Sequence, residues 1–166
     1  VILCRSPEEA TQALAAVQEW TAAAGLTLHP TKTRIVNATD DGFEFLGYRF
    51  ENGKRYPRTK SLEKLKDTIR AKTKRTSGQC LRAIIGSLNP TLRGWFEYFK
   101  HSDRWTLTRL DQGIRMRLRS LLRKRLGLKG RGRGADHHRW PNAFFAKQGL
   151  YSLKTAHEWA CQSSSR

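Results

Sequence analysis

Between Ser61 and Leu126 two patterns interleave that an all-helical unit satisfies together: apolar residues at three- and four-residue spacing, and basic residues in the gaps. Leu62, Leu65 and Ile69 share one side of a predicted helix over 61–74, with Lys64, Lys66, Arg70, Lys72 and Lys74 elsewhere on it. Leu81, Ile84, Ile85 and Leu88 form a second apolar stripe, which meets Asn89-Pro90. The residue before a proline avoids the α region, so a helix end is expected there, followed by a new helix with Asn89 as cap and Pro90 first inside. Leu92, Trp95, Phe96 and Phe99 continue the stripe. Asp103 can cap a further helix to about Leu126. It turns Leu107, Leu110, Ile114, Leu118 and Leu121 inward, with Arg115, Arg117, Arg119, Arg123, Lys124 and Arg125 crowded around them.

The flanks read differently. Val1-Ile2-Leu3-Cys4 has the pattern of a second hairpin strand whose first strand and turn precede it. Ser6-Pro7-Glu8-Glu9 is a helix start, with Ser6 as cap, Pro7 at the first helical position and Glu9 where a capping-box carboxylate reaches back. That helix should run to about Ala24, with Ala10, Leu14, Val17 and Trp20 inward and Gly25 as its stop. Lys32–Val36 is a predicted strand, Asp40-Asp41-Gly42 a turn, and Phe43–Phe50 one alternating strand before a turn at Glu51-Asn52-Gly53-Lys54. Gly127–Arg139, with four glycines and four basic residues, reads as a loop too long for an ordinary connector, either mobile or ordered by a ligand. Ala143–Ala146 gives a short helical turn, Ser152 caps a last helix through Trp159, and Gln162–Arg166 should fray. The expected fold class is therefore α+β, with a small α/β unit over 1–58 and an all-helical basic unit over 59–166.

Charge divides along the same line. Residues 1–50 carry 4 Lys and Arg against 6 Asp and Glu, a balance of −2, whereas 51–166 carry 28 against 8, a balance of +20. A field of that size repels itself and is relieved by a polyanion, where each neutralised phosphate releases condensed counterions. Nucleic acid is the partner class this implies. Cys4, Cys80 and Cys161 form no C-x-x-C pair and have no ligand spacing to any histidine, so structural zinc is not expected, and buried thiols in a reducing cytoplasm are. No apolar run approaches the ~20 residues of a membrane span.

Four segments, in order, carry a resemblance. They are Val1–Ser6; Gly25-Leu26-Thr27-Leu28-His29-Pro30-Thr31-Lys32-Thr33; Gly42-Phe43-Glu44-Phe45-Leu46-Gly47-Tyr48; and a long portion anchored by Leu88-Asn89-Pro90, Arg93-Gly94-Trp95, Tyr98-Phe99, Trp140–Phe145 and Gly149–Leu153. Together they resemble the C-terminal half of a bacterial group II intron reverse transcriptase and maturase. The resemblance implies the end of a polymerase palm followed by the helical thumb, or maturase-specific, domain of a mobile element. It also implies binding of intron RNA and assistance to its splicing, with template and primer as further partners in an RNA-directed DNA polymerase. In that family two aspartates of a Tyr-Ala-Asp-Asp turn and one from an earlier strand hold Mg2+. None of these lies in this sequence, so no cofactor and no polymerase activity are expected of this chain alone. A piece of a longer protein is thereby expected; a stand-alone basic RNA-binding domain or a fragment without function is the alternative.

The resemblance marks Lys32 as the lysine near the incoming nucleotide and departing pyrophosphate, able to act as a general acid, although a strand-end lysine exposed to solvent has the same letters. It marks Phe45, Leu46, Gly47 and Tyr48 as the primer grip; a core hairpin with Gly47 at a bulge reads identically. From charge and helical placement come the RNA-binding candidates Lys72, Lys74, Arg75, Arg115, Arg119, Arg123, Lys124, Arg125, Lys129, Arg131 and Arg133. On this reading, alanine at Arg119, Arg123 and Arg125 together should flatten the salt dependence of binding. Trp95, Phe96, Phe99, Trp105, Trp140, Phe144 and Phe145 are either stacking platforms for bases or core, with core favoured.

Overall fold

A computed structural model describes residues 1–38 and 42–163, which fall into two compact units, Val1–Gly53 and Lys54–Arg166. The fold is α+β, with seven helices and a small antiparallel sheet among the described residues. The expected turn at Asp40-Asp41 and the end of the expected frayed tail lie outside them.

In the first unit, α1 spans Pro7–Ala23. Ser6 accepts the Glu9 amide at 3.2 Å, and the Glu9 carboxylate takes the Arg5 amide at 2.7 Å, so a capping exchange like the predicted one forms, one residue further back on the return bond. The inward face is weaker than predicted: Thr21 is the buried residue of α1, its hydroxyl donating back to Val17 O, while Trp20 is 69% exposed. Val1–Cys4 and Lys32–Val36 are not strands. A strand needs a ladder partner, and among the described residues neither segment has one.

The predicted single strand over 43–50 is two strands. β1 (Phe43–Phe45) turns at Leu46-Gly47 into β2 (Tyr48–Glu51), pairing Phe43 with Phe50 and Phe45 with Tyr48. Both turn residues have positive φ, +47° at Leu46 and +78° at Gly47, the twist that suits a two-residue hairpin and that glycine alone adopts freely. The Phe43 and Phe50 rings stack at 4.8 Å and 9° across the pair. Gly47 thus serves a turn, not a bulge. A further strand, β3 (Lys54–Pro57), opens the second unit.

The second unit holds the core. Every buried Leu, Ile and Phe among the described residues lies between Leu65 and Leu153. Helices α2 (Thr59–Lys72), α3 (Leu81–Phe99) and α4 (Arg104–Arg125) each bury the stripe that periodicity assigns them, while α6 (Asn142–Lys147) and α7 (Leu153–Ser163) add one buried residue each; Ile84, Leu88, Leu92, Leu107, Leu118, Leu121, Phe145 and Leu153 are fully enclosed. The expected helix break at Asn89-Pro90 is absent, and α3 runs through Pro90. Proline cannot donate to the carbonyl of Gly86, but both residues are exposed, so water can satisfy that oxygen, and Leu88 and Leu92 keep the helix seated.

Asn89 does not cap. Its amide bridges instead, donating to Gly149 O at 2.7 Å and accepting the Tyr151 amide at 2.9 Å, so two segments far apart in sequence meet. Asp103 caps α4 through the Trp105 amide. At the start of α7, Ser152 shares the role with buried Asp111, which accepts the Ser152 hydroxyl at 2.7 Å and the amides of Leu153 and Lys154 at 3.1 and 3.2 Å. The predicted loop 127–139 contains α5 (Ala135–Arg139). Of the cysteines expected to be buried, Cys80 and Cys161 are exposed and Cys4 is half-buried. Trp105, expected in the core, is 67% exposed, because it lies on the side of α4 opposite Leu107 and Leu118.

Candidate nucleic-acid interface

Ile69 of α2 and Leu110 and Ile114 of α4 line an open groove of about 400 Å3. Lys66, Arg70 and Arg75 line it from α2 and just beyond; Arg109 and Arg117 line it from α4; Arg131 reaches it from the following loop. It continues past Arg70, Arg75 and Arg117 into a second concavity bordered by Lys74, Lys124, Lys129 and Gly130. Nine basic side chains border the two, and no acidic one does.

Arg117 organises the centre. Its Nε donates to the Thr73 hydroxyl at 2.7 Å and its Nη2 to Arg70 O at 3.4 Å, which fixes the plane of the guanidinium at the groove wall. Burial, then the Arg70 and Arg75 charges, lower its pKa from the ordinary arginine value. An arginine remains protonated at neutral pH regardless; the shift registers burial first and like-charge crowding second, and a bound anion would relieve the crowding. Arg70 has one acidic neighbour, Asp67, at 2.5 Å on the exposed side of α2.

The sequence-derived candidates divide by what they touch. Lys74, Arg75, Lys124, Lys129 and Arg131 border the groove. Arg133 is exposed on the loop. The others have partners within the protein. Lys72 donates to Ser87 O at 2.9 Å, tying α2 to α3, and Arg125 donates to Gln79 O. Arg115 lies 3.8 Å from Asp111. Arg123 pairs with Asp136 at 2.9 Å and also donates to Lys129 O. Arg119 is interior at 3% exposure: it donates to Trp140 O and Asn142 Oδ1, both at 2.9 Å, and lies over the Phe145 ring. The Arg119, Arg123 and Arg125 triple replacement would therefore disturb packing rather than strip one free charged face.

Four groove residues lie outside that candidate set: Lys66, Arg70, Arg109 and Arg117. Lys66, Arg70 and Lys74 are spaced by four on one flank of the Leu65–Ile69 stripe, and Arg109, Gly113 and Arg117 repeat the spacing on α4. Comparing the two flanks would have found them. Charge density alone pointed to the end of α4, where several arginines serve the protein itself.

Lys32 is exposed in a turn, its amide and that of Thr33 donating to His29 O. Phe45 and Tyr48 face each other across the β1–β2 hairpin with Leu46, 67% exposed, at its tip. Trp95, Phe96, Phe99, Phe144 and Phe145 join or border the core, as does Trp140. Among the described residues no group of three or more His, Cys, Asp or Glu stands together. No helix of the described residues is long and apolar enough to cross a membrane.

Residues 62–140 match the family model described as "Group II intron, maturase-specific domain". All nine basic residues of the groove fall within that stretch. No curated protein matches the chain.

Proposed function

We propose that this protein binds group II intron RNA along the α2–α4 groove and thereby helps the RNA reach its splicing-active fold. The observation that carries this reading is a groove with nine basic and no acidic side chains, inside the stretch similar to a maturase-specific domain. The RNA supplies the catalyst. The protein lowers the repulsion between RNA phosphates brought close in the folded intron, through charges fixed on two packed helices. Folded RNA offers phosphates and 2′-hydroxyls rather than an open major groove, which suits a row of arginines better than an inserted helix. The test is competition between a group II intron transcript and an unrelated RNA of equal length. Preference for the intron transcript and faster splicing of it with protein are expected; equal affinity for both RNAs and no acceleration would refute the reading.

The same resemblance supports a finer proposal, that residues 1–58 end a reverse transcriptase palm. Lys32 would then lie near the nucleotide, and Phe45, Leu46, Gly47 and Tyr48 would hold the primer, with the Mg2+ ligands supplied from outside this sequence. The exposed tip at Leu46 is consistent with a surface that touches another molecule. Replacing Leu46 with serine should weaken binding of a primer–template duplex and leave intron RNA binding unchanged; equal loss for both would remove the primer role. A cytoplasmic, bacterial setting belongs to this proposal as well.

A further inference from the structure

Two of the groove's cations, Lys129 and Arg131, sit on the loop between α4 and α5, whose glycine content alone would leave them free to wander. Several contacts hold that loop against α4. The buried Asp136 carboxylate accepts from Arg123 Nη1 and from the Arg133 amide, each at 2.9 Å. The same Arg123 donates its Nε to Lys129 O at 2.8 Å, so one side chain grips both ends of the loop. Between them the Gly132 amide donates to the Ser120 hydroxyl at 3.1 Å, and a Cβ at 132 would lie 2.8 Å from that of Arg119, which only glycine avoids.

We propose that Asp136, acting through Arg123, is a positioning residue for the nucleic-acid interface: it holds the loop so that Lys129 and Arg131 stand over the α2–α4 groove. This rests on the RNA-binding reading above. An acidic group beside a phosphate-binding surface should, by charge alone, weaken it. Asp136 is instead turned inward and neutralised by Arg123, and its effect is on where two cations stand. Charge and position therefore predict opposite signs when the carboxylate is removed.

The experiment measures affinity for a labelled group II intron transcript against salt concentration, for the whole chain and for Asp136→Asn, Gly132→Ala and Asp136→Glu. Asp136→Asn raises the net charge by one from +18, and Gly132→Ala leaves it unchanged. Positioning predicts that both bind roughly tenfold more weakly, with the salt slope shallower by about two phosphate contacts. It also predicts faster amide exchange at Gly132 and Arg133, and partial recovery in Asp136→Glu. A thermal melt separates this from general unfolding, which would lower the folded fraction without changing the slope. Binding as tight as wild type or tighter in Asp136→Asn, at unchanged slope, would overturn the proposal and leave the RNA-binding reading standing. A wild-type chain that does not bind the transcript would overturn both.

Discussion

Arg119 shows how one residue type serves two purposes on one helix. Its guanidinium, with burial and the Arg115 charge lowering its pKa from the usual value, is held between Trp140 O, Asn142 Oδ1 and the Phe145 ring. Arg119→Ala should cost about 2–3 kcal/mol, since it removes two part-buried hydrogen bonds from a charged donor and opens space against Phe145, and urea unfolding measures it. Arg119→Lys should recover little, because a point charge cannot satisfy two acceptors lying in one plane. Asp136 gives a pH signature. The Arg133 amide is the largest influence holding its carboxyl below the usual Asp range, opposed by burial and aided by Arg123 and Arg139. With the folded pKa below the unfolded value of about 3.9, its contribution is full above that value and is lost as pH falls through the folded one. Amide exchange at Gly132 and Arg133, corrected for intrinsic rates, should therefore show protection that is flat from pH 7 to about pH 4 and declines below it.

At the scale of elements, helical periodicity placed α2 and α4 within a few residues, because each has one apolar stripe, and the Ser152 cap placed the start of α7. Periodicity misplaced the middle of α3. The local rule against an α conformation before proline is worth a few kcal/mol, and the burial of Ile84, Ile85, Leu88, Leu92 and Phe96 on one continuous face outweighs it. Pro90→Ala should accordingly stabilise the protein by about 1–2 kcal/mol, as the regained helix bond exceeds the lost restriction on the unfolded chain; an unchanged or lower melting temperature would show that Pro90 is not strained there. The hairpin at Leu46-Gly47 escaped the sequence reading for a different reason. The apolar phase shifts from Phe43 and Phe45 to Tyr48 and Phe50 across the two-residue turn, but Leu46 is itself apolar and masks the shift, so Phe43–Phe50 looks like one strand until the positive φ values are seen.

For the whole molecule, the division of charge in the sequence lies close to the boundary between the two compact units. The second unit contains every buried Leu, Ile and Phe among the described residues and the entire basic groove. A chain comprising 54–166 should therefore melt within a few degrees of the full chain, which calorimetry can check. The sequence pointed to a polyanion as the expected partner through net charge, and to the helical unit through its stripes. It did not reveal which arginines are free, because that depends on acceptors such as Trp140 O, Gln79 O and Asp136, which only the fold brings near. The most direct test is the slope of log affinity for a group II intron transcript against log salt concentration, comparing the wild-type chain with Lys74→Ala, Arg109→Ala and Arg131→Ala combined, and with Arg82→Ala and Lys147→Ala combined as a control away from the groove. The groove variant should lose about two to three units of slope and bind at least tenfold more weakly, with the control near wild type. Equal slopes for the groove variant and wild type would contradict the assignment of the interface to the α2–α4 groove.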